Sequence, residues 1–436
     1  MRRAASLALA LVLASPAAAD VENDLGLNPR TAALGGAVSA TGGDFTAAAY
    51  NPAALIVPGD RDGLAELSAG LTLALPATWA TSLEPGRTLD LEAPLDTTAL
   101  TVGGRFDVGA GLGVPGIVLG LAFYAPLEGL VRSRIRPDDS LSWFLVGDRT
   151  THVSLHLSLG FRITSWLSVG AGARITFDEE AYITGTATDI RRVVDPMTGE
   201  ERIEAGTRLG IEASIYGRAS PLLGLLVAPL PELRFAFAWR GRLYSDDWGT
   251  SRLQGIEAVG DIGFVHRFTH IYRPHELVWS VAWRAHEAIE LSAELTWAMW
   301  SEAVSPTWRT LDGRFGDTLV PAAGVRVTPT PGVDLLAGYR YARSPFADFG
   351  GPTNLLANDT HHLGLGVEVD LDPLTRDDVP FTISLAGRLA ILEEREEIKD
   401  GRRFSNDAAL LANPGYPGYR YGGFVPSVQL AVETRW

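Results

Sequence analysis

Apolar and polar residues alternate with a period of two along almost the whole chain beyond residue 20. A period of two is the spacing that sends successive side chains to opposite faces of a β-strand. In 151–163, Val153, Leu155, Leu157, Leu159 and Phe161 point one way, and His152, Ser154, His156, Ser158, Gly160 and Arg162 the other. The next stretch sets Leu167, Val169, Ala171, Ala173, Ile175 and Phe177 against Ser168, Gly170, Gly172, Arg174 and Thr176. Only Thr164 and Ser165 lie between the two, which predicts a hairpin. About fourteen such segments can be read, each of the ~9 to 11 residues or slightly more that a tilted strand needs to cross a bilayer. They begin near Gly63, Ala99, Pro115, Thr151, Trp166, Arg208, Leu233, His275, Ile289, Thr318, Val333, Asp359, Phe381 and Phe424.

The connections sort by length. Those after odd strands are long, such as 178–207, 245–274 and 393–423, and those after even strands are tight, such as 229–232, 286–288 and 329–332. Long loops on one rim and short turns on the other are the habit of an outer-membrane barrel, the short side being periplasmic. A soluble sandwich has no reason to sort its loops in this way. The faces agree: Leu277, Trp279, Val281 and Trp283 oppose Ser280, Ala282 and Arg284, while Leu291, Ala293, Leu295 and Trp297 oppose Glu290, Ser292, Glu294 and Thr296. With lipid on the apolar side the sheet must close, because each unpaired backbone group in hydrocarbon costs roughly several kcal/mol. Trp79, Trp143, Trp239, Trp297, Trp300, Tyr339 and Tyr341 near strand ends suit interfacial girdles. The fold expected is all-β: a closed antiparallel transmembrane barrel of about fourteen strands.

Composition narrows the alternatives. A hydrophobic share of 46% and a mean hydropathy of +0.09 suit either a globular protein or a barrel whose faces average out. No run of eighteen apolar residues follows Asp20, so no spanning helix is expected. The chain has no cysteine, which excludes disulfides and thiolate metal sites, and a net charge of −15 argues against nucleic acid as a partner. At the start, Arg2 and Arg3, the apolar stretch 4–14 and Ala17-Ala18-Ala19 before Asp20 make a secretory signal peptide over 1–19. A membrane anchor is disfavoured, because the apolar stretch is short and breaks at Pro16. At the other end, Val428, Leu430, Val432 and a final Trp436 resemble the terminal signal read by the barrel-assembly machinery.

Between signal and first strand, 20–62 does not alternate and is rich in small residues. It includes Arg30-Thr31-Ala32-Ala33-Leu34-Gly35-Gly36-Ala37, then Asp44, then Tyr50-Asn51-Pro52-Ala53-Ala54-Leu55. These pieces resemble the N-terminal hatch of the long-chain fatty-acid outer-membrane transporter family, the FadL/TodX type. Similar pieces follow in the same order at 232–240, 294–301, 336–345 and 359–366, so the resemblance spans nearly all of the chain after the signal. It implies a monomeric fourteen-stranded barrel over 63–436, plugged by 20–62. It also implies hydrophobic ligands captured at the outer rim, a shifting hatch and a lateral exit beside a kinked third strand, here the region of Pro115, Gly116 and Gly120. Within the hatch, Asn51-Pro52 reads as a defined turn, since proline fixes φ and asparagine bonds its own backbone. Phe45, Tyr50 and Ala53 accompany it, and Leu25, Leu27, Leu34 and Val38 need burial in the one large volume a barrel of this size offers, its lumen.

Candidate ligand contacts lie in the long loops: Ile183, Val193, Val194, Ile256, Val259, Ile262 and Phe264 as an apolar collecting groove, with Arg191 and Arg192 as anion contacts. The inward arginines Arg105, Arg162, Arg174, Arg284, Arg326, Arg340 and Arg388, with Glu66, Glu294, Glu368 and Asp370, read first as lumen ion pairs holding the barrel and second as guides for a ligand carboxylate. His152 and Ser154 show no acid partner at the spacing of an outer-membrane lipase, and His361 and His362 face opposite sides, so neither catalysis nor a metal is expected. The function expected is passive, ligand-gated passage of hydrophobic small molecules (long-chain fatty acids, similar lipids or aromatic hydrocarbons). Membrane lipid and lipopolysaccharide would surround the barrel, and no cofactor is implied. The alternative is a non-transporting barrel, an adhesin or a secretion-system partner.

Overall fold

The computed structural model describes residues 21–57, 64–89, 91–92, 94, 96–127, 141–143, 152–194, 201–254, 262–303, 315–346, 355–372, 381–399 and 415–436. The expected signal peptide, 1–19, lies outside them. The wall begins with β1 (Ala65–Ala74), β2 (Thr97–Phe106), β3 (Ile117–Pro126) and β4 (Ser154–Arg162). It continues with β5 (Leu167–Val194), β6 (Glu201–Leu230), β7 (Leu233–Arg240), β8 (Glu276–His286) and β9 (Ile289–Ala298). β10 (Thr318–Thr330), β11 (Val333–Ala342), β12 (Thr360–Asp370), β13 (Phe381–Ile398) and β14 (Gly418–Arg435) complete it. Each strand pairs antiparallel with the next. β14 then pairs with β1, Leu430 opposite Leu71, and the barrel is closed.

These are the fourteen strands read from the alternation. Ala65 and Trp436 exchange backbone hydrogen bonds of 3.0 Å, which fixes the start of β1 and the end of β14 at one rim. Antiparallel succession then carries the end of β5 and the start of β6 to the opposite rim, as the loop lengths predicted. Leu67, Leu71, Leu157, Leu223, Trp279, Leu295 and Leu430 stand exposed on the outer face, an apolar belt suited to hydrocarbon. Their neighbours Glu66, Ser68, Ser158, Ser280, Glu294 and Gln429 are buried on the inner one.

Two expectations are corrected. The described parts of the connections 178–207 and 245–274, namely 178–194, 201–207, 245–254 and 262–273, are strand and not irregular loop. β5 and β6 continue as a ladder to Val194 and Glu201, roughly 50 Å of strand beyond Asp178 at ~3.3 Å per residue. Strands Leu243–Gln254 and Ile262–Arg273 form a second hairpin. The charged run Asp178-Glu179-Glu180 ends the apolar alternation, but charge does not end a strand once it has left the membrane. Trp143 and Trp300 are not girdle residues either: both are buried, at 2% and 6% exposure. Trp143 packs edge-on to Tyr421 under the outer rim, and Trp300 stacks near Phe315.

Candidate functional site

Residues 21–57, the expected plug, are nearly all buried and pack against inward-facing residues of the wall. Their helices are single turns: α1 (Val21–Asp24), α2 (Pro29–Ala33) and α3 (Ala47–Tyr50), followed by a 3-10 turn over Pro52–Ile56. Asn28 and Thr31 form a capping box that starts α2, with Pro29 at its first position. Leu27, Phe45, Tyr50 and Leu55 are at most 1% exposed, each such burial stabilising by roughly 1.5–3 kcal/mol. The wall makes room for this chain with glycine. A Cβ on Gly170 would lie 2.4 Å from the Pro52–Ala53 peptide, one on Gly338 2.2 Å from the Leu34 carbonyl carbon, and one on Gly364 2.4 Å from the Ala32 oxygen.

Single turns leave most of their carbonyls without helical partners. The wall's arginines supply them. Arg105 donates to Leu55 O at 2.8 Å, Arg162 to Ile56 O at 3.2 Å, Arg240 to Tyr50 O at 3.2 Å and Arg388 to Asn23 O at 2.7 Å. Gln429 donates to the oxygens of Leu25 and Gly26, both at 3.0 Å. Glu66 and Glu294 accept from the backbone N–H groups of Phe45 and Ser39, each at 3.0 Å, and Glu368 pairs with Arg30 at 2.7 Å. The inward charges therefore serve two partners: several face the plug, and others make the expected ion pairs along the wall, Arg326 with Asp334 at 2.8 Å, Arg240 with Glu276 at 3.0 Å and Arg435 with Glu66 at 3.2 Å.

The residues expected in the hatch come together. Asn51 is fully buried: its Oδ1 accepts from Ala53 N at 3.1 Å, and its Nδ2 donates to Ser39 O at 2.8 Å and to Leu225 O of β6 at 3.3 Å. Pro52 opens the 3-10 turn, Phe45 lies against Gly103, and the Tyr50 hydroxyl donates to Glu22 O at 2.6 Å. Of the third-strand residues, Pro115 and Gly116 precede β3 and Gly120 faces Leu55 and Ala48. The ladders from β3 to β2 and β4 run without a register shift, so the wall is closed there in this state. Ile256 and Val259 lie outside the described residues; Ile183, Val193, Val194, Arg191, Arg192, Ile262 and Phe264 lie on strands whose side chains there are likewise outside the description.

Above α1 lies a cavity of about 900 Å³, part of it open solvent. Its walls are the outer ends of β8 to β14 together with those of β1 and β2 at Ala74 and Thr97, and Leu25, Ala298, Trp300, Val320, Leu392 and Val425 give it an apolar lining. Arg340 enters it 5% exposed, and its Nε finds no hydrogen-bond partner among the described residues. His362 and Glu276 also line it. Loop composition gave no sign of this cavity, because it is built from inward residues of nine strands and the plug.

A second polar cluster ties the plug to the wall. Glu22 accepts from Ser154 Oγ at 3.1 Å, contacts His156 Nε2 at 2.6 Å and pairs with Arg273. Burial alone would raise the Glu22 carboxyl, but Arg273 and His156 hold it well below the usual carboxylate range. Sequence reasoning set Ser154 beside His152; the structure sets it beside His156, 2.9 Å away. That geometry does not activate a nucleophile. The acid and the hydroxyl share the same Nε2, and Nδ1, which an orienting carboxylate would hold, has no hydrogen-bond partner among the described residues.

No family model matches the chain, and no curated protein does. Solved structures do. A monoaromatic hydrocarbon channel, CymD, aligns over 96% of this chain and 99% of its own at 14% identity, with a TM-score of 0.56. A Pseudomonas aeruginosa FadL homologue covers 97% and 98% at 14% identity and 0.54, and the Ralstonia pickettii toluene transporter TbuX 94% and 98% at 16% and 0.53. The chain thus has the fold of the FadL/TodX-type channels over nearly its whole length.

Proposed function

We propose that this barrel lies in the outer membrane and passes hydrophobic small molecules across it by passive diffusion gated by the ligand. The observation that carries the reading is the cavity above α1: a largely apolar space on the long-loop side, floored by a segment held through many separate hydrogen bonds. A barrel built only for adhesion has no need of an apolar chamber against a plug. The fold shared with a FadL homologue, a monoaromatic hydrocarbon channel and a toluene transporter supports the same reading. Long-chain fatty acids, similar lipids and aromatic hydrocarbons are the candidate cargo, and Arg340 would receive the acidic head group of the first. Passage would follow displacement of the plug, with Pro115, Gly116 and Gly120 marking the strand beside which a ligand would leave. The strands after Asp178 and Leu243, with Ile183, Val193, Val194, Ile256, Val259, Ile262 and Phe264, would collect it.

The test fills the chamber. Ala298→Trp and Ala390→Trp, both at cavity-lining positions, should leave the heat-modifiable folded band intact and lower uptake of labelled oleate and toluene in cells lacking other hydrophobe channels. Undiminished uptake by folded, filled variants would refute the proposal.

A further inference from the structure

The hairpin of strands Leu243–Gln254 and Ile262–Arg273 does not stay in line with the wall from which it springs. β7 ends at Arg240, between β6 and β8. A few residues later the chain runs parallel to β5, from Asp247 opposite Glu179 to Gln254 opposite Thr186. Along those same residues β6 occupies the other edge of β5. The hairpin has therefore crossed β6 to reach the β5 edge above β4.

It crosses on the lumen side. Gly241 N donates to Pro221 O at 2.8 Å, and its oxygen accepts from Ser220 Oγ at 2.7 Å and from Arg174 at 3.1 Å, two side chains on the inner face. A Cβ on Gly241 would lie 2.8 Å from Pro221 and Ser220, so only glycine lets the strand pass this close. The Arg218 guanidinium lies 4.5 Å from the centre of the Tyr244 ring, against the same inner face. On the return, Arg273, 3% exposed, reaches down to Glu22 in the first turn of the plug.

We infer that this hairpin is a lid across the outer mouth of the lumen, latched to the plug through Arg273 and Glu22, so that lid and first plug turn release together. The latch goes beyond the transport reading and does not depend on the cargo. One carboxylate holds three parts: the lid at Arg273, the wall at Ser154 and His156, and α1 itself. A buried ion pair that loses one partner leaves a charge uncompensated, so neither the lid nor α1 can leave alone at low cost.

The parent chain has no cysteine, so an Ile183→Cys, Ser251→Cys pair, placed at ladder partners, supplies the only thiols. Parallel partners fall within disulfide reach. The full-length folded barrel, with no ligand added, is oxidised with copper phenanthroline and the initial rate of crosslinking is read on non-reducing gels. The pair should crosslink readily, and several-fold more slowly when Glu22→Gln or Arg273→Gln is added, with Arg273→Lys between. Failure of the pair to crosslink in the otherwise unchanged barrel would remove the lid, and equal rates in folded latch variants would remove the latch. Because no cargo enters the assay, either result is separate from a failure of the uptake test.

Discussion

Replacing Asn51 with alanine removes three hydrogen bonds from a fully buried residue: to Ala53 N, Ser39 O and Leu225 O. Loss of a capping asparagine costs about 0.5–2 kcal/mol, and a stranded buried N–H about 1–3 kcal/mol. These overlap at Ala53, so about 1–3 kcal/mol is expected in all. The loss falls on the seat of the plug, since the wall ladders on both sides of Leu225 are untouched. It shifts the ratio of seated to displaced plug by roughly 5- to 150-fold, at ~1.4 kcal/mol per factor of ten. Heat-modifiable migration reads the barrel, and ion conductance in planar bilayers, with uptake in cells, reads the plug. Normal folding with a raised leak and altered uptake is expected, more so with Pro52→Ala added. Gly224→Ala, whose Cβ would lie 2.0 Å from Asn51 Oδ1, should give the same phenotype and add little to Asn51→Ala, because the two act on one contact. Unchanged leak and uptake beside weaker folding would mean that the segment is only a structural cap on β1.

Gly338→Ala drives a methyl into the Leu34 peptide; overpacking of about 1–3 kcal/mol should speed deuterium exchange across 29–38 and leave β11 unchanged, and equal exchange would refute the close seat. Arg340→Gln should lower oleate uptake more than toluene uptake, and an equal fall in both would deny it a head-group role. Glu22, held low when folded, stabilises the plug above its ordinary value of about 4.3 and loses that contribution only as pH falls through the depressed one. The protection of plug amides, with the intrinsic base-catalysed exchange rate divided out, should then stay flat from about pH 8 to about pH 5, and a loss of protection near neutrality would assign the latch to another group.

The wall was legible because membrane strands obey two strict rules at once, alternation and a minimum length. Leu277 to Trp283 and Leu291 to Trp297 show both, and their strands begin within a residue of where the pattern put them. Beyond the bilayer only the first rule survives and in weaker form, so the ladder from Asp178 to Val194 passed for a loop. That 21–57 needs the wall for its burial was legible from a segment too small-residued to form a core alone, and the turn at Asn51-Pro52 from its residue types. Its partners were not, because Arg105, Arg240 and Arg388 are distributed over three strands and meet the plug only on closure. The cavity and the Glu22 cluster stayed hidden for the same reason: His156 and Arg273 lie 134 and 251 residues from Glu22 along the chain (156 − 22 and 273 − 22).

The kind of bond the wall makes to the plug bears on how the plug can move. Most of the inward arginines described above donate to neutral carbonyls, and a hydrogen bond involving one charged partner contributes roughly 1.5–3 kcal/mol. When such a bond breaks in a lumen that fills with water, the guanidinium rehydrates and the carbonyl does too, so the losses are small and come one at a time. An ion pair is different, since parting it without water strands two charges. Among the described residues the plug has few of these: Arg30 with Glu368 and with Asp44 of the plug itself, and Glu22 with Arg273 and His156. They sit at α2 and α1, whereas the Asn51 side chain bonds to neutral groups and the carbonyls beside it accept from arginines without forming ion pairs. Displacement should therefore begin where water or a ligand first reaches an ion pair. The cavity places that point at α1, since Asn23, Asp24 and Leu25 form its floor next to Glu22.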